Sequence, residues 1–287
     1  MFPILFSYGP VTIKTMSFFM VLAFLASAFI FWKRGREEHY REDQLFDGFL
    51  MATVFGLLAA RAGYVIFNFA TFGFSIIRWV DFLSYPGLSG LFGLIAGGWY
   101  LYRYAGKNRW DGYEILDFWA IAATTGLIFT SVGAFFDGSG YGYATSLPVG
   151  VTFPSLIEPH HPVQLYFFLF YLVLCFYLFW AEYHYRTFEW YRYGKKTAQT
   201  GFLISTFIIV AGLANFIFAF FKPPTLTLYG INLDMIVSLA AFVAGVMLLY
   251  VRSGRVLPFS AGSKKKRARL RQFQQAEKQP VTQPDSF

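Results

Sequence analysis

The chain is poor in the residues that soluble enzymes use most. It has one cysteine and four histidines in 287 residues, and 14% of its residues are charged. A single cysteine excludes intrachain disulfides and multi-cysteine metal sites. Cys175 lies among Leu172, Val173, Leu174 and Phe176 and reads as a small buried hydrophobe. Asp137, Glu158 and Asp234 have the spacing of no metal motif, so neither a metal nor another cofactor is expected. Met1–Pro10 carries no basic residue, and no small-residue cleavage site follows the first apolar run. That run is therefore expected to stay as a membrane anchor.

Apolar residues make up 56% of the chain and aromatic residues 22%. Water cannot be its main solvent. Windows near 11–32, 45–68, 86–104, 113–136, 163–184, 200–221 and 229–251 each approach the roughly 20 apolar residues that cross a hydrocarbon core. The expected architecture is an all-α integral membrane protein of seven transmembrane helices over residues 1–253. A basic, Gln-rich cytoplasmic tail over 254–287 is expected to be disordered.

The net charge of +8 has a direction. Lys33, Arg34, Arg36 and Arg41 follow the first window; Arg103, Lys107 and Arg109 the third; Arg186, Arg192, Lys195 and Lys196 the fifth. With those after the seventh window, 20 of the 24 Lys and Arg residues fall on one side. The others are Lys14, Arg61, Arg78 and Lys222. Basic residues are retained on the cytoplasmic side, so the N-terminus is expected outside and the C-terminus inside. A charge spread over alternate loops points to topology, and no nucleic-acid partner is expected. The basic run at 264–271 could bind anionic headgroups or serve topology alone.

Polar groups within the windows are few, and each needs a partner or a purpose. Arg61 could hold a phosphate through its guanidinium fork, pair with a carboxylate or carbonyls of a neighbouring helix, or snorkel to the outer interface. Asp117, Thr124 and Ser131 recur every seven residues on one stripe, which suggests hydrogen bonds between helices. Gly93-x-x-x-Gly97 is a close-packing motif, and Gly212, Asn215 and Ala219 form a narrow seam with one amide. His160 and His161 precede Pro162 at the outer start of the fifth window, as a general base, a headgroup contact or structural residues.

Four landmarks in order carry a family resemblance: Leu5-Phe6-Ser7-Tyr8-Gly9-Pro10-Val11, the Ala60–Phe67 element with Arg61, Gly63 and Tyr64, Gly87-Leu88-Ser89 with Gly93-Leu94-Ile95, and His161-Pro162-Val163-Gln164-Leu165-Tyr166. Over about residues 5–253 the chain resembles the prolipoprotein diacylglyceryl transferases. The resemblance implies a multi-pass protein of the bacterial plasma (inner) membrane. Its substrates would be a phosphatidylglycerol-like phospholipid, which gives up its diacylglyceryl group, and the lipobox cysteine of a preprotein, which receives it; glycerol phosphate leaves. It also implies a lipid- or phosphate-binding set of Arg61, Tyr64, Gln164, Tyr166 and Asn215, with His161 or His160 as base and Asp137 orienting it.

The chain departs from the family pattern at polar positions. Leu91 stands for a His, Ser131 for an Arg, Ala134 for an Asn and Ser139 for a Glu, while Asn215 replaces a second Arg, Ala219 a Glu and Met16 a Tyr. Two readings follow: a transferase with a relocated constellation, or a lapsed or repurposed member that binds lipid or an envelope partner.

Overall fold

The computed structural model describes residues 2–8, 11–81, 84–154, 156–184, 199–225, 227–228 and 231–253. Arg186, Arg192, Lys195 and Lys196, and the tail 254–287 with its basic run, lie outside the described residues. Strands β1 (Ile4–Tyr8) and β2 (Val11–Lys14) form an antiparallel hairpin. There follow α1 (Thr15–Glu37), α2 (Glu42–Phe67), the short α3 (Phe69–Phe72) and α4 (Ile76–Val80), α5 (Gly90–Lys107), α6 (Gly112–Asp137), α7 (Val163–His184) and α8 (Phe202–Phe218). A small hairpin, β3 (Thr227–Leu228) and β4 (Ile231–Asn232), leads into α9 (Leu233–Arg252).

Each expected window contains one long helix. The first and last begin late, because Val11–Lys14 and Ile231–Asn232 are extended and paired in hairpins. The β-branched run Val11-Thr12-Ile13 suits a strand better than a helix start. By length and composition α1, α2, α6, α7 and α9 can cross a membrane. Apolar side chains such as Val21, Leu58, Val173 and Phe176 lie exposed along them, as lipid-facing surface requires. The 17-residue α8 rises about 25 Å, short of a roughly 30 Å hydrocarbon core. In α5 the last turns carry Arg103 and Lys107.

The bundle is organised around α6, which touches α1, α5, α7 and α8. Small residues set the closest approaches. The Ser27 hydroxyl on α1 donates to the Ala122 carbonyl of α6 at 2.8 Å. A Cβ at Gly56 of α2 would stand 3.0 Å from the Gly93 oxygen of α5, and one at Gly212 of α8 2.8 Å from the Phe242 nitrogen of α9. The glycine pattern at Gly93 and Gly97 is thus a helix-packing surface against α2. One apolar core gathers Ile121, Leu174, Leu178, Leu203 and Phe207 between α6, α7 and α8; a second gathers Phe31, Leu45, Leu101 and Ile115 between α1, α2, α5 and α6.

Of the heptad stripe on α6, only Asp117 bonds across helices among the described residues. Its carboxylate accepts the backbone N–H groups of Gly201 at 2.7 Å and Ile204 at 2.9 Å. It therefore caps the start of α8 from a neighbouring helix, supplying acceptors where a helix has none of its own. Thr124 and Ser131 instead donate to Ala120 and Leu127 of their own helix, each at 2.7 Å. In an apolar interior that is the nearest acceptor a hydroxyl can reach.

The substitution Asp117→Ala strands two buried donors and is expected to cost about 2–4 kcal/mol. Asp117→Asn, which keeps one acceptor oxygen, should lose about half of that. Thermal unfolding of the detergent-solubilised chain checks this, and an unchanged midpoint for Asp117→Ala would remove the cap from the account.

Candidate functional site

The ends of the bundle differ. One end carries Arg34, Arg36, Arg41, Arg103, Lys107, Arg109 and Arg252 at the connections of α1 to α2 and α5 to α6, and at the close of α9. The other, the loop end, carries β1–β2, α3–α4, the connection 138–162 and β3–β4.

Gly138, at φ 78°, ends α6 in the left-handed conformation, and Ser139 donates back to the Ala134 carbonyl at 3.0 Å. The connection then folds on itself. His160 pairs with Val151 in both directions, and Gly142 and Tyr143 pair with His161 at 2.8 and 3.0 Å. Tyr143 N–H also donates 2.9 Å to the Phe221 carbonyl, just beyond α8. Gly142 sits at this junction, where a Cβ would be 2.2 Å from that carbonyl oxygen. The backbone thereby holds the start of α7 against the end of α8.

On this frame His161 and Tyr166 meet, with Nδ1 3.1 Å from the phenol oxygen. Phe221 packs against both rings, and Phe218 against Tyr166 and Phe167. Gln164 is 4% exposed. Its Nε2 donates 2.7 Å to the Ser139 carbonyl, while its buried Oε1 has no hydrogen-bond partner among the described residues. Asp137 closes α6, and the described partner of His161 is Tyr166 rather than this carboxylate. His160 turns its ring to the Glu158 carbonyl at 2.8 Å.

Arg61 and Tyr64 belong to a separate cluster on the α2–α5 side. Arg61 is buried, and its guanidinium donates to five carbonyls: Trp79 at 2.7 Å, Tyr85 at 2.8 Å, Gly87 and Arg78 at 3.0 Å, and Asp81 at 3.1 Å. It also lies 5.0 Å over the Phe72 ring. This is the carbonyl alternative open in the sequence, and it organises α4 and the loop after it. A phosphate here would have to displace carbonyls. Tyr64 packs edge-on against the same Phe72 ring.

The positions that depart from the family pattern hold no charge toward either cluster. Ser131 bonds within α6, Asn215 donates to Ala211 within α8 at 2.9 Å, Ala134 carries the carbonyl that caps α6, and Leu91 lies in the first turn of α5. Sequence reasoning left Lys222 unused. It is half-buried and follows Phe221, whose ring packs on His161 and Tyr166, with its own Nζ 5.7 Å over the Phe167 ring. Burial lowers the pKa of its ammonium, with Asp234 partly offsetting this. The signal was present: Lys222 is one of the four basic residues off the basic side.

A family model described as prolipoprotein diacylglyceryl transferase matches residues 3–251. A phosphatidylglycerol–prolipoprotein diacylglyceryl transferase of Clostridium tetani is 26% identical over 258 residues, covering 87% of this chain and 97% of that protein. Its counterpart in Aeromonas salmonicida is 29% identical, covering 91% of this chain and 94% of that protein. The Legionella pneumophila (strain Corby) enzyme is 27% identical, covering 87% and 96%.

The Arg61 geometry makes a sharp prediction. A lysine offers three donors at a point in place of a planar fork of five, so Arg61→Lys should not rescue Arg61→Ala. Amide hydrogens of Trp79, Asp81 and Gly87 are expected to exchange about tenfold faster or more in both variants. Unchanged protection would mean that the five carbonyls do not depend on Arg61.

Proposed function

The chain belongs to the prolipoprotein diacylglyceryl transferase family, and we propose that it transfers the diacylglyceryl group of phosphatidylglycerol to the lipobox cysteine of a prolipoprotein. The observation that carries the reading is the match over residues 3–251, together with a His161–Tyr166 pair on a backbone-tied platform at the loop end. We place that end outside the cytoplasm of a bacterial plasma membrane. All seven long helices span the membrane, and the basic connections lie inside. An exported preprotein and the outer leaflet then meet at the platform.

The reaction exchanges one bond for another. The cysteine sulfur forms a bond to the terminal glyceryl carbon of the lipid, the carbon–oxygen bond to phosphorus breaks, and glycerol phosphate departs with the electron pair. The thiol proton must go to a base, because the thiolate is the nucleophile. His161 suits this role in the tautomer whose Nδ1–H donates to the Tyr166 oxygen, because Nε2 then keeps a lone pair for the proton. Asp137, where α6 ends, takes the orienting role on the same loop end. Gln164, Tyr166 and Asn215 line the path of the lipid, with Tyr64 and Arg61 shaping the opposite wall through α4 and its loop.

A second reading, a lapsed member that binds lipid without turnover, is favoured by one observation. Ser131 is bonded within its own helix, Asn215 to Ala211 of its helix with Tyr171 of α7 as a second partner, and Arg61 is spent on carbonyls. Reconstitution of the full chain with phosphatidylglycerol and a lipobox peptide separates the two. Thioether product is expected, and His161→Ala should slow its formation by about 10²–10⁴. If no product forms under any lipid composition, the lapsed reading replaces the transferase.

A further inference from the structure

Four basic residues lie at the loop end, and three are otherwise placed. Lys14 is exposed at the close of β2. Arg78 is exposed and donates to the Thr71 carbonyl at 3.2 Å, and Arg61 holds its five carbonyls. Lys222 differs: it is half-buried and makes no hydrogen bond or ion pair with any described residue. Nearby Asp234 does not close on it, because Oδ2 of that carboxylate accepts both the N–H and the hydroxyl of Thr225 at 2.6 Å. Asp234 therefore offsets the desolvation of the ammonium only in part and from outside ion-pair distance, and a bound anion would relieve the rest.

The surroundings say which anion fits. Lys222 follows Phe221, whose carbonyl is tied to Tyr143 and whose ring packs on His161 and Tyr166. Its ammonium lies over Phe167, which is three residues after Gln164 and so on the same face of α7. On that face the buried Oε1 of Gln164 is an acceptor without a donor, while Nε2 is fixed on the Ser139 carbonyl. A cation over Phe167 and an unused acceptor one turn before it on α7 match a phosphodiester carrying a hydroxylated head. Phe167, Phe218 and Phe221 offer the apolar wall that acyl chains need below it.

We propose that Lys222 and Gln164 together form the headgroup subsite for a phosphoglycerol lipid, Lys222 holding the phosphodiester and the Gln164 Oε1 accepting a glycerol hydroxyl. This rests on the lipid-transfer reading for its substrate class, and it puts the missing phosphate-holding charge on the turn after α8. The subsite does not itself require turnover.

The test is equilibrium binding of lipids to the detergent-solubilised full chain, with thermal unfolding of every variant to establish that it folds. The probes are phosphatidylglycerol, phosphatidylmethanol, which keeps the phosphodiester but lacks the hydroxyls, and diacylglycerol, which lacks both. Wild type is expected to bind them in that order. Lys222→Gln should lower the preference for either phospholipid over diacylglycerol about 10- to 100-fold, the scale of a hydrogen bond to a charged group, and Lys222→Arg should keep it. Gln164→Leu should erase only the difference between phosphatidylglycerol and phosphatidylmethanol. Glycerol 1-phosphate as competitor separates lipid headgroup from free phosphate ester: displacement in wild type but not in Lys222→Gln shows that the subsite also takes the free ester, and retained lipid shows that the chains are needed. A folded Lys222→Gln protein with wild-type lipid preference overturns the assignment. Loss of preference in Lys222→Gln without thioether product from wild type would keep the subsite and sink the transferase reading instead.

Discussion

A helix gains almost nothing by moving its leucines from lipid to a neighbouring helix, because the two environments are equally apolar. Association inside a membrane therefore depends on close backbone approach at small residues and on the few polar groups that can bridge. This constraint organises the bundle. Gly56 and Gly93 bring α2 against α5, Gly212 brings α8 against α9, and Ser27 reaches a carbonyl of α6. Asp117 is the strongest bridge, since one carboxylate supplies two acceptors to the open start of α8. Its placement on the central helix fixes α8, and thereby where the turn carrying Phe221 and Lys222 emerges.

The loop end meets the second demand of a membrane, that irregular backbone be satisfied by protein. Two devices do so. In the connection 138–162 the backbone pairs with itself and with Phe221, which requires a residue without a Cβ at Gly142. In the segment after α2 a side chain does the same, with Arg61 covering five carbonyls that no strand or helix pairs. An arginine suits this because its donors are fixed in a plane and stay charged. A phosphate site and a carbonyl clamp ask for the same residue, so Arg61 in an apolar window could not be assigned to either from the sequence.

The long helices are legible because hydropathy is a local property: each window of Val, Leu, Ile and Phe contains a helix, five of them long and apolar enough to cross a membrane. Helix starts were less so. Val11-Thr12-Ile13 counts as apolar whether it is a strand or a helix, and its pairing partner lies outside the window. The stripe of Asp117, Thr124 and Ser131 was visible as a stripe, but its bonding was not. A hydroxyl can bond back to its own helix at no cost in position, whereas a carboxylate cannot, and that difference separates Asp117 from the other two. His161, Gln164 and Tyr166 were singled out together and lie together, being within two turns of one helix start. Asp137 and His161 are separated by a folded connection, so their relation depended on tertiary structure.

Lys222 adds to a motif comparison what position-by-position matching leaves out. Position-by-position comparison finds Ser131 and Asn215 in place of cations and concludes that no charge is left for phosphate. Electrostatics does not depend on which helix supplies the charge, only on its distance, its burial and the absence of a competing partner. Arg61 has the burial but is fully engaged by carbonyls; Lys14 and Arg78 are exposed, where solvent and salt weaken their attraction. Lys222 combines partial burial with an ammonium that no described residue pairs, one residue from the ring that packs on His161. The lack of charge at Ser131 and Asn215 is thus compatible with the proposed headgroup site, which takes its cation from the turn after α8.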